Sequence, residues 1–231
     1  MMASVTAFAS RDALMAAVAE RLADALRTAI ADRGAACAAL SGGTTPEPAY
    51  RLLAARKLDW SKVTFALVDE RFVPPDQDPS NEGLLRRALA PAFANGARLE
   101  SMYADTPTAR EAAERADARY ALLRFDIALM GMGPDGHTAS WFPGAAALDV
   151  ALDLESKRTV VSVHAPQAYG TPERLSLTRA ALARAGHILV LILGAEKRAY
   201  LDSALSMRAE DAPIAGLFAL SDLTPEVMWA P

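Results

Sequence analysis

The chain has 231 residues, 52% hydrophobic and 23% charged, a globular balance that excludes general disorder. Its length fits one large domain, residues 1–231, with two small domains as the alternative; one core of that size needs no staples. The one cysteine, Cys37, excludes an intrachain disulfide framework and a cysteine-built zinc site, and the net charge of −4 argues against nucleic acid as the main partner.

No run is apolar for long enough to span a bilayer, so no membrane partner is expected. The start, MMASVTAFAS, lacks a basic leader, and Arg11 and Asp12 interrupt it. A cleaved signal peptide is therefore not expected, and the protein reads as cytoplasmic by exclusion.

Residues 11–33 carry Leu14, Ala17, Val18, Leu22, Leu26 and Ile30 at helical spacing, closed by Gly34. Residues 35–40, AACAAL, form a short apolar run of the kind a buried strand has. Thr45 is placed to cap a second helix, with Pro46 at its first position and Glu47 in its first turn. VTFALV (63–68) is a strand. A loop rich in Pro and Asp follows over 71–80, and Ser80 or Asn81 is placed to cap a helix near 82–90. Residues 107–124 read as a helix. FDIALM (125–130), TVVSVH (159–164) and HILVLIL (187–193) are three further strands, and Gly194 opens a helix over about 195–208. Near-continuous apolar strands between helices predict an α/β fold: an open, mostly parallel sheet with helices on both faces. In such sheets ligands sit beyond the carboxyl ends of the strands, so the residues following each strand are the candidates.

After the first strand comes Ser41-Gly42-Gly43-Thr44-Thr45-Pro46. Two glycines permit close backbone approach, and the turn runs into a helix start whose amides lack partners. That composition suits either a phosphate nest or an ordinary tight turn with a cap. The G-x-x-x-x-G-K-[ST] spacing of a P-loop is absent. After the second strand, Asp69-Glu70-Arg71 is either a solvated strand end or part of a site, because three charges buried without partners are costly. After the third comes GMGPDGHTASWFPG. Gly131, Gly133 and Gly136 spell G-x-G-x-x-G, yet a dinucleotide motif wants an acidic end to the next strand, and that strand ends in His164. More telling is Asp135 two residues before His137. A carboxylate there can hold the imidazole in one tautomer and leave its other nitrogen to act on a water; the alternative is a structural histidine. Arg174 and Lys197 read singly as solvated cations and together with the glycine turn as a cradle for a dianion. His164 and His187 lack comparable neighbours and read as structural, and Cys37 reads as a buried, inert thiol. No G-x-S-x-G elbow and no H-E-x-x-H spacing occurs, so no metal site is expected.

The segments LSGGTTP (40–46), VDERFVP (68–74), SNEGLL (80–85), GMGPDGHTASWFPG (131–144), PERLSLT (172–178) and GAEK (194–197) together resemble the 6-phosphogluconolactonase family, in order along nearly the whole chain. The related glucosamine-6-phosphate deaminases share the SGGT-like turn, but Phe142 stands where they carry a glutamate of their ring-opening set. Ser176 departs from a common Thr and keeps the hydroxyl. The resemblance implies a NagB-like, modified Rossmann-type three-layer sandwich, hydrolysing a sugar-phosphate lactone in the pentose phosphate pathway without metal or organic cofactor. It further implies His137 as the base, with Ser41, Gly42, Gly43, Thr44, Arg174 and Lys197 on the phosphate. Asp135 would steady His137. Arg71 would line the substrate, with Asp69 and Asn81 beside it, and either Arg71 or a loop amide is the candidate oxyanion donor. The expected partner is the lactone alone, and the expected assembly a monomer or homodimer. Two other readings stand beside this one: an isomerase or deaminase of amino-sugar phosphates, with Asp69 as base, and a non-catalytic sugar-phosphate sensor.

Overall fold

The computed structural model describes residues 4–231 of the chain; Met1–Ala3 of the apolar start lie outside the described residues. Strand β1 (Val5–Ala7) leads into helix α1 (Arg11–Arg33), whose Ser10 side chain accepts from the Ala13 amide and so caps the first turn. The predicted periodic face is the one buried: Leu14, Val18, Leu22 and Leu26 have no solvent exposure. Strand β2 (Ala36–Leu40) follows, buried at every position. Helix α2 (Glu47–Ala54) begins after Pro46, which stands at the N-cap place with no side-chain cap bond. This corrects the expectation that Thr45 caps the helix. The first intrahelical bond runs from the Tyr50 amide to the Pro46 carbonyl, so the helix starts at Glu47 and Thr45 stays in the turn, where it lines a cavity.

A 3-10 turn (Trp60–Lys62) precedes strand β3 (Val63–Leu67), and strand β4 (Asp69–Arg71) comes one residue later. Helix α3 (Asn81–Ala88) is capped by Ser80, whose hydroxyl accepts from the Gly83 amide. Then come α4 (Ala90–Ala94), β5 (Arg98–Glu100), α5 (Ala109–Tyr120) with Thr108 as its cap, and β6 (Ile127–Gly131). The remaining elements are α6 (Leu148–Leu152), β7 (Val160–His164), β8 (Glu173–Leu177), α7 (Arg179–Leu182), β9 (Ile188–Leu193), α8 (Ala195–Ala204), α9 (Ile214–Phe218) and β10 (Glu226–Ala230).

Seven strands form one sheet in the order β1-β10-β9-β6-β2-β3-β5, with every adjacent pair parallel. From β2 the chain runs outward through β3 to β5, then crosses to the other side of β2 at β6. The order therefore reverses between β2 and β6, and a crevice opens beyond their carboxyl ends. Strands β4, β8 and β7 form a second, antiparallel sheet. This corrects the placing of TVVSVH in the main sheet: an apolar run specifies a buried strand but not its neighbours. Val68 joins the two sheets, its amide donating to Leu40 and its carbonyl accepting from Leu177. Among the described residues no helix is long and apolar enough to cross a membrane.

Candidate active site

The carboxyl ends of β2 and β6 open on a cavity of about 340 Å³, a size that suits a small phosphorylated ligand. The turn after β2 forms one wall, through Ser41, Gly42, Gly43 and Thr45. Of the three hydroxyls the turn offers, those of Ser41 and Thr45 line the cavity and that of Thr44 does not, which corrects the placing of Thr44 on the phosphate. Gly42 has a specific reason to be glycine: a β-carbon there would lie 1.7 Å from Asn81 Oδ1. The Asn81 side chain fills that space, donating its amide to the Asp69 carbonyl at 2.8 Å.

The loop after β6 supplies the opposite wall. His137 Nδ1 lies 2.5 Å from Asp135 Oδ1, and the same oxygen accepts from the His137 amide at 3.2 Å. An ionised carboxylate can only accept, so facing one places the proton on Nδ1 and leaves Nε2 as the free acceptor. The ring lies over Gly133, where a β-carbon would be 2.0 Å from it. On its other side stands Phe142, ring centroids 4.2 Å apart. Sandwiched in this way, the imidazole keeps 28% of its surface exposed and faces the cavity. Thr138 ties the loop back to β6 through the Gly131 carbonyl at 2.8 Å, and Ser140 ties it to Asp69 at 2.6 Å. Ala139, between them, takes a left-handed backbone at φ 49°, a strained conformation for a residue with a β-carbon.

The second sheet contributes the cations. Arg71 on β4 and Arg174 on β8 are cross-strand partners, directly opposite one another, and both line the cavity. Like charges so placed repel, and an anion between them relieves the repulsion. Arg174 is 3% exposed. Its Nε donates to the Thr171 carbonyl and its Nη2 to the Tyr169 carbonyl, at 2.8 and 2.5 Å, and its guanidinium lies over Phe142, 5.8 Å from the ring centroid. Loss of solvation lowers its pKa; Asp69 opposes that shift and Arg71 adds to it. Arg71 donates to the Pro79 carbonyl. Lys197, in the first turn of α8, reaches the cavity with Nζ on the Met132 carbonyl at 2.7 Å, and burial lowers its pKa against the pull of Asp135.

Every residue expected at the site except Thr44 either lines this cavity or, like Asp135, holds one that does. Of the two alternatives posed for the triplet after β3, the solvated strand end is excluded, and two of its three residues belong to the site. Asp69 and Arg71 face the cavity, whereas Glu70, on the other face of the strand, has no solvent exposure. Burial pushes Glu70 up to about 7, against backbone amides and a serine hydroxyl that favour its ionised form. Among the lining residues that sequence reasoning did not place at the site, two stand next to its charged groups or on its rim. Phe142 was noted only for what it replaces, and its place between His137 and Arg174 depends on loop geometry. Tyr169, 89% exposed on the rim, carries no motif at all. His164 also corrects its reading as unpartnered: strand pairing sets Glu173 opposite, 2.5 Å from Nδ1, but neither residue lines the cavity. Cys37 is buried and its thiol is pushed up to about 12, as an inert core residue should be.

A doubly layered α/β sheet with a glycine turn, a carboxylate-steadied histidine and converging cations at its switch point is the architecture of a sugar-phosphate enzyme. The chain belongs to the glucosamine-6-phosphate isomerases/6-phosphogluconolactonase family, which it matches over residues 9–229. It is 41% identical to a 6-phosphogluconolactonase of Rhizobium meliloti (strain 1021), over the whole of both chains. It is 43% identical to one of Mesorhizobium japonicum, covering 97% of this chain and 94% of that one. Its structure superposes on a crystal structure of a 6-phosphogluconolactonase from Shewanella baltica OS155 with a TM-score of 0.94. That pair is 31% identical and covers 100% of this chain and 98% of the other.

Proposed function

We propose that this chain hydrolyses 6-phospho-D-glucono-1,5-lactone to 6-phospho-D-gluconate in the oxidative branch of the pentose phosphate pathway, acting in the cytoplasm as one domain. The observation that carries this reading is the Asp135–His137 pair, 2.5 Å apart, facing a cavity that also holds the glycine turn, Arg174 and Lys197. The phosphate binds to the turn at residues 41–45 with Arg174 and Lys197. Its binding energy orients the ring at the far end of the cavity.

His137 Nε2 takes a proton from a water, and the resulting hydroxide adds to the lactone carbonyl carbon. Arg71 stabilises the oxyanion that forms there. The carbonyl then re-forms as the bond from that carbon to the ring oxygen breaks, and the imidazolium returns its proton to the departing oxygen. Asp135 holds the ring through both transfers and favours the charged form between them. General-base help of this type contributes roughly 10²- to 10⁴-fold, which suits a lactone, a reactive ester that opens slowly unaided. Phe142 argues against ring-opening deamination, since its side chain offers no carboxylate at that place and instead packs on the imidazole.

The test is a rapid pH-stat or coupled assay on freshly made lactone, with the spontaneous rate subtracted, beside an assay for ammonia release from glucosamine 6-phosphate. Lactone turnover without ammonia is expected. Ammonia release, or stabilisation by 6-phosphogluconate with no turnover, would overturn the reading.

A further inference from the structure

Glu70 is the member of the Asp69-Glu70-Arg71 triplet that the proposed chemistry leaves unused, and it is fully buried. A carboxyl group without solvent needs donors, and the structure gives it four. Oε1 accepts from the Arg71 amide at 2.6 Å and the Asn81 amide at 2.7 Å. Oε2 accepts from the Glu82 amide at 2.7 Å and the Ser80 hydroxyl at 3.0 Å. These donors come from both ends of the excursion over residues 72–79, one from β4 and three from the start of α3. We propose that Glu70 is a positioning residue, whose carboxyl group staples β4 to the first turn of α3 and thereby sets Arg71 and Asn81 in the cavity.

The two residues it grips by their amides both line the site. Asn81 needs such a grip. Its Nδ2 donates to the Asp69 carbonyl, but its Oδ1 is buried against Gly42 with no hydrogen-bond partner among the described residues, so only half of the carboxamide is held by its own bonds. Arg71 adds a second tie across the same excursion, to the Pro79 carbonyl. Only a carboxyl group satisfies this arrangement. Two oxygens offer four acceptor sites, whereas a glutamine would replace one oxygen by an amino group and turn two of its donors into orphans.

The consequence for turnover rests on the lactonase reading, but the staple itself does not. The test is therefore Glu70→Gln with two measurements. Hydrogen exchange reads the amides of Arg71, Asn81 and Glu82, and kinetics read kcat/KM on the lactone at a temperature where the variant is fully folded by circular dichroism. Leu22→Ala, a core truncation in α1 away from the cavity, serves as the control for destabilisation alone. Expected are at least tenfold faster exchange at those three amides and a fall in kcat/KM of at least tenfold, with neither change in the control. Unaltered exchange, or parental kcat/KM, overturns the proposal. Absence of turnover in the parent chain would count against the lactonase reading only, because the exchange measurement still decides the staple. If Glu70→Gln does not fold, Ser80→Gly strips the hydroxyl donor while leaving a residue that is tolerated at an N-cap. Exchange at Asn81 and Glu82 should then quicken at least threefold with a two- to fivefold fall in kcat/KM, and no change in either refutes the staple.

Discussion

The two sheets meet at Val68 and serve the cavity in different ways. The seven-stranded parallel sheet presents backbone: the turn after β2 and the loop after β6 emerge from strands buried along almost their whole length. The three-stranded antiparallel sheet presents charge, in Arg71 and Arg174 set directly across from each other. The first arrangement costs nothing without ligand, because amides at a turn can bond to water. The second carries like-charge repulsion in a partly dry place, which the negative charge of a bound ligand relieves. Rigid backbone donors and opposed cations are thus complementary parts of one cavity.

Removing the charge should do the most damage. Arg174→Ala deletes a buried cation together with its bonds to the Tyr169 and Thr171 carbonyls. A charge-assisted bond contributes about 1.5–3 kcal/mol, so KM should rise roughly 10- to 150-fold with a smaller change in kcat. Steady-state kinetics decide this, and an unchanged KM would remove Arg174 from the anchor. Arg174→Lys should recover little, since an ammonium cannot make the planar fork that reaches both carbonyls.

Distorting the backbone half should come next. Gly42→Ala drives a β-carbon into the Asn81 carboxamide. Overpacking of this kind costs about 1–3 kcal/mol of fold stability, so thermal melts should show a lower Tm and calorimetry should find 6-phosphogluconate bound more weakly by the displaced turn. Binding at the parental level would mean that the turn does not hold the phosphate.

The smallest effect concerns pH and the junction between the sheets. The four donors favour a carboxylate at Glu70, but burial outweighs them and raises it to about 7. Its protonated form therefore contributes stability that is complete below the unfolded pKa and is lost as pH rises through about 7, where the staple gains its full set of acceptors. Glu70→Gln cannot titrate. The difference in Tm between parent and variant should therefore narrow from pH 5.5 to pH 8, by a few degrees in thermal melts. A difference that widens with pH would reverse the sign of the burial effect.

The parallel sheet was largely legible in the sequence because its central strands are fully buried. β2, β3, β6 and β9 each read as an uninterrupted apolar run bounded by turn residues. The short edge strands β1 and β5 lacked that signal, as did β10 with its Glu226, and β4 and β8 hid theirs under charge: DER and ERLSL look like surface. β7 was recognised as a strand and assigned to the wrong sheet, since apolarity says nothing about partners. The site followed the same division. Residues at the ends of long parallel strands could be picked out by position alone, as Ser41, Gly42, Gly43 and His137 were. The opposition of Arg71 and Arg174 could not, because it is set by strand register between residues far apart in the chain. Thr45 rather than Thr44 lines the cavity because the helix starts one residue later than its proline suggested.

The central claim is that an imidazole steadied by Asp135 activates water opposite a separately built anion site. Its most direct test is His137→Asn, with lactone turnover and calorimetric binding of 6-phosphogluconate measured on the same preparation. The account predicts a kcat lowered by about 10²- to 10⁴-fold with affinity for 6-phosphogluconate within threefold of the parent. Turnover surviving within a few-fold, or turnover and affinity lost together, would contradict it.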